Sequence, residues 1–156
     1  MMREEFEAQY RKYLETIELP EILKSKIILK KCLKERQDFC TLLVYNKNTD
    51  RNYTLKVTDS ERGEILEREM QILQELIQSG IQAFPRPELL IKENRKTYYL
   101  REYVEGETLL SIVARRGCMP EKVLALTGIR LCDLLELLHK QDPPIIHRDI
   151  KPENII

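Results

Sequence analysis

The sequence predicts an α+β fold, a small antiparallel sheet with one helix against it and a helical segment after it. Three observations predict this. Residues 40–58, "CTLLVYNKNTDRNYTLKVT", hold two β-rich runs around a turn-forming centre, the pattern of a hairpin. Residues 63–80, "GEILEREMQILQELIQSG", carry apolar side chains at helical spacing and stop at Gly80. From residue 107 the character is helical again. The order is hairpin, helix, hairpin, helices, loop, without internal repeats or low-complexity stretches.

The elements follow in chain order. Residues 3–15 and 20–36 are charged pieces with spaced Leu, Ile and Tyr, divided by Pro20, and residues 1–32 are expected to form a helical lead-in. In the second run of the first hairpin, alternation sends Tyr53, Leu55 and Val57 to one face and Thr54, Lys56 and Thr58 to the other. In the helix, Ile65, Leu66, Met70, Ile72, Leu73, Leu76 and Ile77 make one apolar stripe, with Glu69 near its middle and Glu64, Glu67 and Glu75 outside. "PELLIKENRKTYYLREYV", residues 87–104, reads as a second hairpin. "TLLSIVARRG" and "MPEKVLALTGIRLCDLLELLHKQ" read as helices, with Pro120 suited to a first helical turn. The longer one is apolar nearly all round, which predicts a buried helix.

Composition narrows the function classes. The 156 residues are 42% hydrophobic, enough for a core. Twenty-six basic residues balance twenty-six acidic ones, which argues against nucleic acid or a membrane held by bulk electrostatics. Cys32, Cys40, Cys118 and Cys132 show no paired spacing, so reduced thiols in a soluble cytoplasmic protein are expected, with no zinc site or disulfide framework. No apolar run reaches the roughly 20 residues of a membrane helix.

The most specific chemistry lies in "HRDIKPEN", His147 to Asn154. An Asp followed five residues later by Asn is the catalytic-loop pattern of phosphoryl transfer. This stretch resembles the protein kinases, and Lys151-Pro152-Glu153-Asn154 is similar to their Ser/Thr-specific form. The resemblance implies that Asp149 accepts the proton of the attacking hydroxyl, Lys151 offsets charge on the transferred group and Asn154 holds Mg2+. It also implies that His147 and Arg148 position the loop. By itself an HRD triplet would read as a solvated loop after a helix; eight matching positions favour the kinase reading.

"YTLKV", residues 53–57, resembles the strand whose lysine grips the ATP phosphates, which puts Lys56 in that role. Alone, Lys56 reads as a solvated strand lysine. Glu69 changes the weighting, because a carboxylate inside an apolar stripe demands a cation, and Lys56 is the natural candidate. The alternative is Glu69 tilted out at the stripe's edge. "YYLREYVEGETL", residues 98–109, is similar to the last small-lobe strand and hinge, where backbone groups of Glu102 and Val104 would bond adenine. The resemblance runs from residue 33 to 156: a kinase small lobe and hinge over 33–104, then the start of an incomplete helical large lobe over 105–156.

The pattern is not met everywhere. The phosphate loop should read G-x-G-x-x-G, yet "LKERQDFCTLLVY", residues 33–45, has no glycine. Lys34, Arg36, Gln37 and Cys40 there should weaken a backbone cradle, although Lys34 or Arg36 contacting phosphate directly would offset part of the loss. Thr54 stands where a small alanine is usual and Arg101 where an apolar or hydroxyl residue is usual, so either would crowd the pocket. No Asp-Phe-Gly motif is present, and the chain reads as a truncated kinase domain, inactive alone, with an exposed large-lobe helix that favours self-association. The implied function is ATP γ-phosphoryl transfer to Ser or Thr of a protein. Two rivals remain: a pseudokinase-like binding module with weak or no nucleotide binding, and, less favoured by the Lys-Pro-Glu-Asn tail, a small-molecule phosphotransferase.

Overall fold

A computed structural model describes residues 17–36 and 38–156. They divide into a unit ending at Tyr103 and a unit over Val104–Ile156. The predicted helix over residues 3–15 lies outside the described residues.

The first unit is built on five antiparallel strands: β1 (Ile27–Arg36), β2 (Phe39–Asn46), β3 (Arg51–Asp59), β4 (Pro87–Glu93) and β5 (Lys96–Glu102), in the spatial order β1-β2-β3-β5-β4. Local chemistry makes the turns. Asn46 Oδ1 accepts from the Asn48 N–H at 2.9 Å, and Asp50 takes a left-handed φ of 54° before β3. Between β4 and β5, Asn94 and Arg95 both have positive φ, as a two-residue type I′ hairpin requires.

The expected helical lead-in is corrected. Among the described residues of that stretch only α1 (Glu21–Lys24) is helical, and from Ile27 the chain runs as β1, one of the sheet's two edge strands. Pairing with β2 satisfies its backbone in a way that a four-residue helix cannot extend. Leu23 and Ile27 then join Leu42, Val44, Tyr53, Leu55, Val57, Tyr98 and Leu100 in one buried cluster, with Ile17 and Leu19 packed against it. The lead-in thus covers one sheet face, and the Tyr98 hydroxyl donates to the Glu18 carbonyl at 3.1 Å.

The other face carries α2 (Gly63–Gln78), entered through a 3-10 turn at Ser60–Arg62. Leu66, Leu73 and Leu76 are buried as the stripe predicts, but Ile65 is 55% exposed, so the stripe is narrower than the periodicity suggests. Gly63 is required by packing, because a Cβ there would strike the side chain of Thr97 on β5. The stop is a Schellman end: Gly80 has φ 81°, its N–H reaches the Ile77 carbonyl, and the Ile81 N–H reaches that of Leu76, both at 2.9 Å.

In the second unit, α3 (Leu109–Arg116) starts at Thr108, whose hydroxyl accepts from the Ser111 N–H at 3.1 Å. It ends at Gly117, φ 79°. α4 (Glu121–His139) follows Pro120, which stands at the N-cap rather than inside the first turn. The burial that its composition suggests is not met, while the expected exposure of this helix is: Leu138 is buried, but Val123, Leu124, Leu126, Ile129 and Leu137 are exposed. An all-round apolar helix needs cover on every side, and one short helix and a loop do not supply it. Among the described residues, no helix is long and apolar enough to cross a membrane.

Candidate functional site

Lys56 and Glu69 form the centre of the first unit's polar site. Lys56 points from β3 to the α2 side, where its Nζ donates to Glu69 Oε1 at 2.8 Å and Oε2 at 2.5 Å. The carboxylate inside the stripe has thus found the expected cation. A second one joins it: Arg101 Nη1 on β5 donates to Glu69 Oε1 at 3.0 Å. All three side chains are mostly buried. Burial lowers the Lys56 ammonium below its usual range, Arg101 and then Lys34 push the same way, and Glu69 opposes them. Arg101, expected to crowd a pocket, is also a second anchor for α2 through Glu69. Strand alternation could have found it, since Arg101 and Tyr99 share a face and Tyr99 lies directly opposite Lys56.

The glycine-free hairpin is tied to the start of α2. Asp38 in its turn pairs with Arg62 at 2.7 Å, and the Asp38 carbonyl accepts from the Thr58 hydroxyl at 2.7 Å. Neither contact has a signal in the sequence, because both depend on the β2–β3 register. At the end of β5, the Glu102 N–H is taken by the Arg86 carbonyl at 2.8 Å. Val104 begins the second unit, outside any strand or helix.

In the second unit, the residues of "HRDIKPEN" converge on one carboxylate. Lys151 Nζ donates to Asp149 Oδ1 at 2.7 Å, and Asn154 Nδ2 donates to Asp149 Oδ2 at 2.9 Å and to its carbonyl at 2.8 Å. The 3-10 turn Pro152–Asn154 folds Asn154 back over the five-residue interval. Arg148 takes φ 62°, a left-handed conformation costly for a long side chain, and the Asp149 N–H reaches His147 Nδ1 at 3.3 Å. With its nitrogen so engaged, Asn154 still presents Oδ1, an oxygen donor of the type that magnesium takes. No cluster of three or more His, Cys, Asp or Glu able to hold a metal occurs among the described residues.

A five-stranded antiparallel sheet crossed by one helix, with a lysine–glutamate pair and an HRD loop, defines a protein-kinase-like chain. Residues 40–156 match the sequence model of the protein kinase domain, and the chain belongs to that family. It is 46% identical over 59 residues to a probable serine/threonine-protein kinase of Clostridium perfringens, covering 38% of this chain and 8% of the relative. Against the serine/threonine-protein kinase PknA of Nostoc sp. it is 37% identical over 93 residues, 60% of this chain and 16% of the relative. Against human DCLK3 it is 29% identical over 115 residues, 71% and 17% of the two lengths. The chain therefore spans less than a fifth of each of these relatives. Among solved structures, that of Rad53 1-466 in complex with AMP-PNP shares the fold at TM-score 0.66 and 22% identity, over 85% of this chain and 34% of that one.

Proposed function

We propose that this chain carries the nucleotide-gripping and catalytic-loop residues of a Ser/Thr protein kinase that transfers the ATP γ-phosphoryl group to a protein hydroxyl. The ion pair of Lys56 with Glu69 is the observation that carries this reading, since it directs a strand lysine onto the α- and β-phosphates. Glu102, whose N–H is taken, would meet adenine through its carbonyl, and Val104 through its backbone. Asp149 would accept the proton of the attacking hydroxyl, with Lys151 offsetting the developing charge. Asn154 would hold Mg2+ through Oδ1, and that ion neutralises phosphate charge when bound.

Thermal unfolding with and without ATP and magnesium tests the reading. Ligand at 100 times its Kd adds about 2.7 kcal/mol of stability, and Lys56→Met should remove most of the gain. A nucleotide-independent melting curve would overturn it. The alternative, a pseudokinase-like protein-binding module, is favoured by the glycine-free hairpin and predicts that flat result. The 156 residues contain no Asp-Phe-Gly, so by themselves they should transfer no phosphate; transfer abolished by Asp149→Asn would contradict this. The exposed apolar residues of α4 are the proposed route of self-association, readable as a concentration-dependent sedimentation coefficient. A cytoplasmic location completes the proposal.

A further inference from the structure

β1 carries Lys31, Lys34 and Arg36, and the sheet register fixes where they face. Lys34 lies opposite Thr41, and Thr41 opposite Lys56, so the three form one row across β1, β2 and β3 on the same face. Arg36, Phe39 and Thr58 make the next row, and Lys31, Leu43, Thr54 and Arg101 the row on the other side. Two register shifts, between Leu29 and Lys31 and between Cys32 and Lys34, produce this arrangement. Strict alternation from Leu29 would have put Lys31 on the apolar face. Instead Leu29 and Cys32 face the core cluster, and all three cations face the side of Lys56.

Nearby carboxylates are already engaged: Glu69 holds Lys56 and Arg101, Asp38 holds Arg62, and Glu67 holds Lys92. Among the described residues no carboxylate pairs with Lys31, Lys34 or Arg36. Edge-strand lysines also blunt unwanted strand pairing, but that task does not require them all on one face. Strands two apart are separated by about 10 Å, which lets two lysine side chains converge on a single polyphosphate.

We propose that Lys34, with Arg36 beside it, is a side-chain clamp for the phosphate chain of a nucleotide, replacing the backbone amides that a glycine loop would supply. The clamp rests on the nucleotide reading above but can fail separately. The repulsion that Lys34 exerts on the Lys56 ammonium is what a bound anion between them would relieve. Sequence alone favours a chain with glycines at 34, 36 and 39 as the tighter ATP binder; the shared face reverses that expectation.

Calorimetry on the whole chain with ATP, adenosine and inorganic tripolyphosphate decides it. Lys34→Met should weaken ATP and tripolyphosphate by about tenfold, the worth of one charge-assisted hydrogen bond, and leave adenosine unchanged. Lys34→Arg should restore binding, and the control Lys47→Met should have no effect. Lys34→Gly/Arg36→Gly/Phe39→Gly should bind ATP more weakly than the unmodified chain. Equal ATP affinity in Lys34→Met, or tighter binding by the triple-glycine variant, overturns the clamp and leaves the nucleotide reading standing. Tripolyphosphate binding that depends on Lys34, without ATP binding, overturns the nucleotide reading and with it the clamp as a nucleotide site. Binding of none of the three overturns both.

Discussion

Leu55 and Leu126 are the same side chain in opposite settings: Leu55 on β3 is 0% exposed, and Leu126 on α4 is 53% exposed. The contrast extends to their units. Up to Tyr103, α2 and the lead-in before β1 each cover a face of the sheet, and most of the apolar side chains are buried or half-buried, with Ile22, Ile28 and Ile65 left exposed. Beyond Val104, a long apolar helix keeps most of its surface, while the loop after it is ordered by short polar contacts around Asp149. Catalytic-loop geometry thus rests on hydrogen bonds within eight residues, whereas Lys56 and Glu69 depend on a packed sheet and helix to meet.

Leucine truncation should separate the units most sharply. Leu55→Ala is expected to cost about 2–5 kcal/mol and Leu126→Ala less than about 0.5 kcal/mol, read from urea midpoints. All seven tyrosines lie at or before Tyr103, so tyrosine fluorescence reports the sheet unit. Equal costs would mean that α4 is covered in solution. Removing the shared carboxylate comes next: Glu69→Gln should cost about 1.5–3 kcal/mol, because Lys56 and Arg101 lose a mostly buried charged partner. If Lys56→Met added to Glu69→Gln restores nothing, the strain of unpaired cations is not the cause.

Glycine replacement offers a contrast in sign. Gly63→Ala meets Thr97 and should destabilise by about 1–3 kcal/mol, whereas Gly128→Ala, in α4 with open space at its Cβ, should stabilise by about 0.5–1 kcal/mol. Thermal melts of both variants check the opposition. The smallest effect is alkaline. Burial pushes the Cys40 thiol from 9.0 up to about 12, with Cys32 adding to it. Above pH 9 the unfolded chain loses this proton while the folded chain keeps it, so its stabilising share is full below 9 and falls as pH rises toward 12. Buried Tyr98 and Tyr99, also raised, act in the same direction; Lys56, lowered from 10.5, acts in the opposite one. Urea midpoints at about pH 8 and about pH 10 should therefore diverge less in Cys40→Ala than in the natural chain. An unchanged divergence would assign the alkaline loss to the tyrosines.

Both hairpins, α2 and the Lys56–Glu69 pair were legible in the sequence because their periods are regular and a carboxylate in an apolar stripe requires a partner. β1 was not. Its bulges place core-facing Ile27, Leu29 and Cys32 at intervals of two and then three, which imitates helical spacing. For α4, side-chain composition says only that the helix wants cover; its exposure was legible from the family pattern, which shows that the usual neighbours of such a helix are not among these residues. The contact of Arg101 with Glu69 was half legible: alternation puts Arg101 on the face of Tyr99, and the register then sets Tyr99 opposite Lys56. The Asp38 latch depends on distant register alone and leaves no local trace.

The protein kinase match begins at residue 40, yet the sheet's apolar face is closed by Leu23 and Ile27 and by a hydrogen bond to Glu18. A recombinant fragment cut at that match would lose β1 and the lead-in together. Leu42, Val44 and Leu55 would be laid bare beside β2, now an unprotected border, and such a border recruits strands from other molecules. Inclusion bodies from that fragment would reflect a misplaced cloning boundary rather than an unstable kinase fold.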